Sequence, residues 1–466
     1  MMDSRAENPK SGKQNKLSYE KGAVLLFLIV VFAVIFLAGK VKTYPDTQSY
    51  LNMAPFREPG YALLLNAFTL LFGRFGFTAL GFLQNVLAVF SIYWFSCYVG
   101  SKYTDRFVLP VTAVCMVFPY VMTPLFASSG IMLTNAMISE GVTLPLYHLF
   151  FLFLLKAVWE KEKQWNALSV ALILSFLLLM TRGQMTVTLI AWLIVAVIVN
   201  WRGKQKKSII MAVLLFFLAA GCRVIGINSY NLIVNGEFAG TTYGPVTILS
   251  NVIYVSEKED RQAVSDTGLQ DLFDRIYGIA EEGQMLYKNA PDSFSGEAVF
   301  YSDMHDDIKD FAIFPTLQEY VQDQEEIVDY MEKSMRVDEL SASLYRALFP
   351  RCFGRWFAHY VRNAAVGMIR TVAFVHPLLN IPSILGYPVL IGMGWYCYHK
   401  DRESKAVAML LLTALLTAGN VAAVSLTIMC LSRYMIYNTA MVYVTAFLLI
   451  VEIFKIKRRQ KWDIKN

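Results

Sequence analysis

An all-α membrane protein that crosses the bilayer about ten times is the fold class this sequence predicts. Three observations predict it. Hydrophobic residues make up 56% of the 466-residue chain and charged residues only 17%, where soluble domains carry nearer a quarter. Apolar runs long enough to span a bilayer recur from residue 22 to residue 454. The basic residues gather in short polar breaks between alternate runs, the pattern that sets orientation in membranes.

Taken in order, residues 1–21 are polar, carry five Lys or Arg, and read as a cytoplasmic tail. The run Gly22–Leu37 lacks a small-residue cleavage site and reads as a span, not a cleaved signal. Spans are expected at 22–39, 78–98, 107–126, 141–157, 165–181, 184–200, 208–226, 383–399, 405–427 and 434–454. The short apolar stretches 61–73 and 364–376 read as interfacial or re-entrant helices. The organisation is then a tail (1–21), a transmembrane region (22–226) with a first outer loop at 40–77, an extracytoplasmic, mainly helical region (227–365), C-terminal spans (366–454) and a basic cytoplasmic tail (455–466).

With the N-terminus inside, the inner loops 99–106, 156–164, 201–207 and 400–405 are all basic, as the positive-inside rule requires. The outer face receives 40–77, 127–140, the turn at 182–184, the stretch 227–365 and the turn at 432–433. Apart from His148, the middles of the spans hold almost no ionisable group, which argues against an ion-coupled transporter. The net charge of +6 hides an acidic region, with 22 Asp or Glu against 7 Lys or Arg in 257–339. No nucleic-acid partner is expected from this distribution.

Within the outer stretch, 228–256 reads as loop or a short hairpin. Leu269, Leu272, Phe273, Ile276 and Ile279 fall on one helical face. Arg346, Arg351, Arg355, Arg362 and Arg370 interleave with aromatics as an interfacial stripe. The six cysteines are scattered and suggest no disulfide framework. Asp303-x-His305-Asp306-Asp307 has the composition of a metal site without a diagnostic spacing, and reads as a solvated acidic face.

The chemistry-bearing candidates lie at the outer boundary. Asp46 opens a loop punctuated by Pro45, Pro55, Pro59 and Gly60; it could act as a general base or simply cap the helix beginning at Thr47. Arg57 could face a phosphate with Glu58 orienting it, or form an ordinary ion pair. Glu140 could contact a sugar or support the base, or only favour a helix N-terminus. Arg182 and Arg433, with Arg223 near the same depth, suit a lipid phosphate or snorkel to head groups.

The loop Pro45-Asp46-Thr47-x-Ser49-Tyr50, followed by Arg57-x-Pro59-Gly60-Tyr61, resembles the first outer loop of the GT-C membrane glycosyltransferases. The nearest branch is the bacterial one related to protein O-mannosyltransferases and the lipid A aminoarabinose transferase. Pro119, Ser139-Glu140, Arg182 and Arg433-Tyr434 follow in the family's order. The resemblance implies inverting transfer of a sugar from a polyprenyl-phosphate-linked donor to a glycan, lipid or protein acceptor on the extracytoplasmic face. It implies Asp46 as base, Arg182, Arg433 and Arg57 at the donor phosphate, and Glu140, Glu58, Tyr50, Tyr61 and Tyr434 at sugar or acceptor. It requires no nucleotide, other cofactor or metal. The competing readings are a glycolipid flippase, which predicts polar residues lining a path through the bilayer, and a non-catalytic adaptor, which would tolerate Asp46→Asn.

Overall fold

The computed structural model describes the backbone of residues 9–126, 132–160 and 162–463, and the side chains of 19–122, 132–160 and 162–462. Residues 127–131 of the expected outer loop and the chain ends 1–8 and 464–466 lie outside the described residues. Among the described residues there is no β-strand, only an isolated bridge between Lys42 and Ala136. Nine helices among them are long and apolar enough to cross a membrane, and a shorter apolar helix at Val108–Met122 falls on the remaining expected span. The chain is an all-α, multi-pass membrane protein.

The chain runs α1 (Pro9–Gly39), α2 (Pro45–Leu51), α3 (Pro59–Phe72), α4 (Gly76–Ser101), α5 (Val108–Phe126), α6 (Glu140–Trp159), α7 (Gln164–Thr181), α8 (Thr186–Arg202) and α9 (Lys206–Asn235). α6 is apolar on all sides and nearly every residue from Glu140 to Ala157 is buried, so it forms the axis. α4, α5, α7 and α8 surround it, and α1 and α9 turn apolar faces outward. α3 doubles back along α4 through a tight turn in which Gly73 takes φ +50°, a left-handed value that glycine adopts without strain.

The outer stretch is helical: α10 (Gly244–Tyr254), α11 (Thr267–Glu282), α12 (Phe294–Asp307), a π turn at Ile308–Ile313, α13 (Phe314–Glu325) and α14 (Tyr330–Val372). Asp266, Ser293 and Asp329 start three of these by accepting the backbone N–H three residues on, at 2.8, 3.0 and 2.9 Å. Their apolar faces close a second core around Val246, Leu249, Phe273, Ile276, Leu317 and Leu344. The chain returns through α15 (Pro377–Lys400), α16 (Lys405–Thr427), the short α17 (Ser432–Met435) and α18 (Thr439–Asp463).

Five expectations are corrected. Residues 228–256 are no hairpin: α9 continues to Asn235 and α10 begins at Gly244, because Val246, Leu249 and Ile253 share one face that the second core buries. The stretch 364–376 is not a separate short helix; its first nine residues end the 43-residue α14. Packing there is close, and a Cβ on Gly367 would stand 2.9 Å from Cys430 Sγ. On α11 the buried face takes Tyr277 and Ala280 while Ile279 stays exposed. His305 is fully buried, bonded to Ser250 at 2.8 Å, so the Asp303–Asp307 segment is not uniformly solvated. The arginine stripe is partly turned inward: Arg351 and Arg355 pair with Asp260, and Arg362 with Glu297.

Candidate functional site

The site is built where α1 ends and α6 begins. Lys42 exchanges backbone hydrogen bonds with that segment, donating to Asn135 O and accepting from Met137 N, both at 3.0 Å. Three buried amides hold the segment from beneath. Gln84 donates to Thr134 O at 2.9 Å, Asn85 to Asn135 Oδ1 at 2.9 Å, and Asn135 to Ile35 O at 2.7 Å. Irregular backbone buried in a membrane bundle needs such partners. Sequence reasoning missed this latch, although adjacent amides at 84 and 85 inside an apolar span were a legible signal.

Pro45 starts α2, and its cap is not Asp46. Thr47 Oγ1 accepts from Tyr44 N–H at 2.7 Å and donates to Met137 O at 2.9 Å. Asp46 is therefore left to point into the site. Pro59-Gly60 then seats the loop on the end of α7. A Cβ at Gly60 would lie 2.6 Å from Met180 O, so this approach requires glycine.

Five charged side chains from four parts of the chain form one alternating row. Arg57 Nη2 meets Asp46 Oδ1 at 2.6 Å, and Arg433 Nη1 meets Asp46 Oδ2 at 2.9 Å. Arg433 Nε stands 4.0 Å from Glu140 Oε1, which forms an ion pair with Arg182 Nη1 at 2.5 Å. Burial pushes the Asp46 carboxyl up, but Arg57 and Arg433 outweigh it and hold it at about 2. Three guanidiniums face two carboxylates, so the row carries one net positive charge.

The surroundings fix this row. Ser139 Oγ accepts from Tyr50 OH at 3.1 Å and from Arg182 Nη1 at 3.3 Å. Arg57 lies 4.6 Å over the Tyr50 ring, and the Arg182 and Arg433 guanidiniums lie 5.2 and 4.9 Å from the Tyr434 ring. Gln184 and Asn420 both donate to Tyr434 O, at 3.1 and 2.9 Å, which ties the 182–184 turn to α17.

The row opens into a cavity of about 960 Å³. Asp46, Tyr50, Arg57, Glu58, Arg182, Arg433 and Tyr434 line it. Glu140, 1% exposed, stands one layer behind. Tyr61 lies outside, fully buried against Tyr50 with its hydroxyl on Gln84 at 3.3 Å. Glu58 faces Arg223 at 4.0 Å. The opposite wall comes from the outer helices and was not foreseen. Lys309 sits there between Asp306 (2.7 Å) and Asp310 (3.7 Å), with Tyr243, Asp303 and Arg370 beside it. Nothing in the sequence of 228–345 signalled this wall, since it exists only once the outer helices stand across the cavity from the loop, which they touch through Thr242 and Tyr243.

A guanidinium wall beside a carboxylate, in a hollow of this size, can hold a phosphate-bearing ligand and move a proton. Among the described residues no group of three or more His, Cys, Asp or Glu is arranged to hold a metal ion. Compared with known proteins, the chain matches no family model, no curated protein and no solved structure.

Proposed function

We propose that this protein is an integral membrane glycosyltransferase of the cell envelope. It moves a sugar from a polyprenyl-phosphate-linked donor to an acceptor on the extracytoplasmic face, with inversion. The observation that carries this reading is the row Arg57–Asp46–Arg433–Glu140–Arg182 along one wall of the 960 Å³ cavity. The first outer loop's resemblance to the GT-C enzymes supports it, as does the basic character of the opposite end of the bundle, which by the positive-inside rule faces the cytoplasm.

In this reading Asp46 accepts the proton of the acceptor hydroxyl. Charge grows on the phosphate as it leaves, and the guanidiniums of Arg182 and Arg433, held in place by their carboxylate partners, meet it. One fixed donor of this kind is worth about 3 kcal/mol in the transition state. Tyr50 and Tyr434 offer ring faces and hydroxyls to the sugar. A second, apolar cavity of about 500 Å³ lies between α12, α14 and α15. Ile369 lines it and the next residue, Arg370, lines the large one, so a prenyl tail has a place beside the charged site.

The test is a thermal-shift titration of the purified protein with undecaprenyl phosphate, the spent carrier. A ligand that binds only the folded state raises the melting midpoint. Stabilisation that persists in Asp46→Asn and falls in Arg182→Ala or Arg433→Ala is the expected result. No stabilisation of the wild type, beside a responsive control enzyme, would return the weight to the flippase and adaptor readings.

A further inference from the structure

Asp46 has neither oxygen free of a cation. Arg57 holds Oδ1 and Arg433 holds Oδ2. A carboxylate in that grip is a poor proton acceptor, because an effective base has its affinity matched to the working pH. The third charged neighbour, Glu140 of α6, adds repulsion from the next position in the row.

The two guanidiniums differ in what else restrains them. Arg57 belongs to the same loop as Asp46. Its Nε donates to Ser49 Oγ at 2.8 Å and its plane lies against Tyr50 and Phe56, at 4.6 and 5.1 Å. Arg433 reaches across from α17. Its Nη2 donates to Tyr434 OH at 2.8 Å, while its Nε is buried without a hydrogen-bond partner. The rings of Tyr434 and Tyr44 lie 4.9 and 5.7 Å from its guanidinium, so Arg433 is no less enclosed than Arg57, but it is the one with a buried N–H to spare.

Resting on the reading of this cavity as a phosphate-donor site, we propose that Asp46 is a masked base: the donor's phosphate draws Arg433 away from it, so the base is released only when the donor is in place. The freed oxygen then accepts the acceptor's hydroxyl proton. The acceptor oxygen uses the released pair to bond the anomeric carbon. The bond from that carbon to the phosphate oxygen breaks, and its pair leaves on the phosphate opposite Arg433 and Arg182.

The charges balance at both stages. Before transfer, the row's single net positive charge meets a phosphodiester monoanion. After transfer Asp46 is protonated, the row carries two net positive charges, and the released phosphate monoester carries close to two negative charges at neutral pH, its second pKa being about 6. A ligand and a proton acceptor coupled in this way stay matched without recruiting any further ion.

The protonation of Asp46 can be read directly by isotope-edited infrared titration with ¹³C-labelled aspartate, as the difference between wild type and Asp46→Asn, from about pH 1 to about pH 7. Undecaprenyl phosphate is the probe and undecaprenol, which lacks the phosphate, is the control. Melting midpoints are taken on the same samples. The expected result is an Asp46 titration midpoint raised by about 1 to 3 pH units by the phosphate lipid, the effect of losing one adjacent guanidinium. Undecaprenol should leave the midpoint where it was, and Arg433→Gln should raise it with no lipid present. A phosphate lipid that raises the melting midpoint yet leaves Asp46 unchanged would overturn the mask while the donor-site reading stands. A lipid that fails to bind would bring down that reading, and the mask with it.

Discussion

At one end of the bundle, Asp46 and Glu140 share three arginines around a cavity of about 960 Å³. At the other end, a hollow of about 850 Å³ is lined by Lys102, Arg106, Lys405, Lys455, Arg458 and Arg459. The second end has more cations, but each of its ion pairs joins one cation to one carboxylate. Lys102–Glu160 is a quarter to a third exposed on both sides, and Lys455–Glu452 spans one helical turn. At the first end, Asp46 and Arg433 meet across 387 residues of sequence, and Glu140 is 2% exposed. Charge number therefore does not separate a site from a topology signal. What separates them is convergence: at the first end, cations from distant segments reach the same carboxylate.

The comparison can be broken by activity first. Asp46→Asn should lower the rate of sugar transfer by about 10²- to 10⁴-fold, the range for a general base, with initial rates on a polyprenyl-phosphate sugar as the readout. Glu452→Gln, a buried carboxylate at the opposite end, should leave that rate unchanged; equal losses would dissolve the distinction between the ends.

Stability comes next. Arg182→Ala removes the close partner of a buried carboxylate and should cost about 3 kcal/mol in unfolding experiments. Lys102→Ala breaks a partly exposed pair and should cost no more than about 1 kcal/mol. Backbone fit gives a smaller contrast. Gly60→Ala should cost about 1–3 kcal/mol by forcing α3 off α7, whereas Gly392→Ala meets nothing within 4 Å and should be near neutral.

The smallest expected effect is on pH dependence. Asp46 sits at about 2 in the folded protein against an ordinary 3.8. Its folded-state value is depressed, so its stabilising contribution is fully present above about pH 4 and is lost as pH falls toward about 2. Asp46→Asn should flatten the unfolding profile in that window and leave the neutral range unchanged in slope.

The spans were legible because apolar length is a strong constraint in a bilayer, and the ten expected runs coincide with helices. The meeting of Asp46, Arg57, Arg182 and Arg433 was half legible. Each stands at an expected outer turn, but which carboxylate each arginine takes depends on Tyr434, Ser139 and Gln184, whose orientations no linear pattern encodes. Residues 228–256 misled because β-branched residues favour strands and Gly and Asn favour turns, while the second core imposes helix on α10. Lys309 and Asp306 joined the cavity through the packing of α12, a tertiary event that α12's own composition does not announce.

The long sequence reach between Asp46 and Arg433 has a consequence for biogenesis. Spans enter the membrane in order, so a growing chain presents Asp46 and Arg57 early and acquires Arg433 only with its last helix. On the proposed glycosyltransferase reading, the phosphate wall lacks one of its arginines until that segment is in place, and a chain stalled before it would be inert. On that reading, completion of insertion and acquisition of activity would be the same event, which would keep half-assembled copies from acting on a lipid carrier.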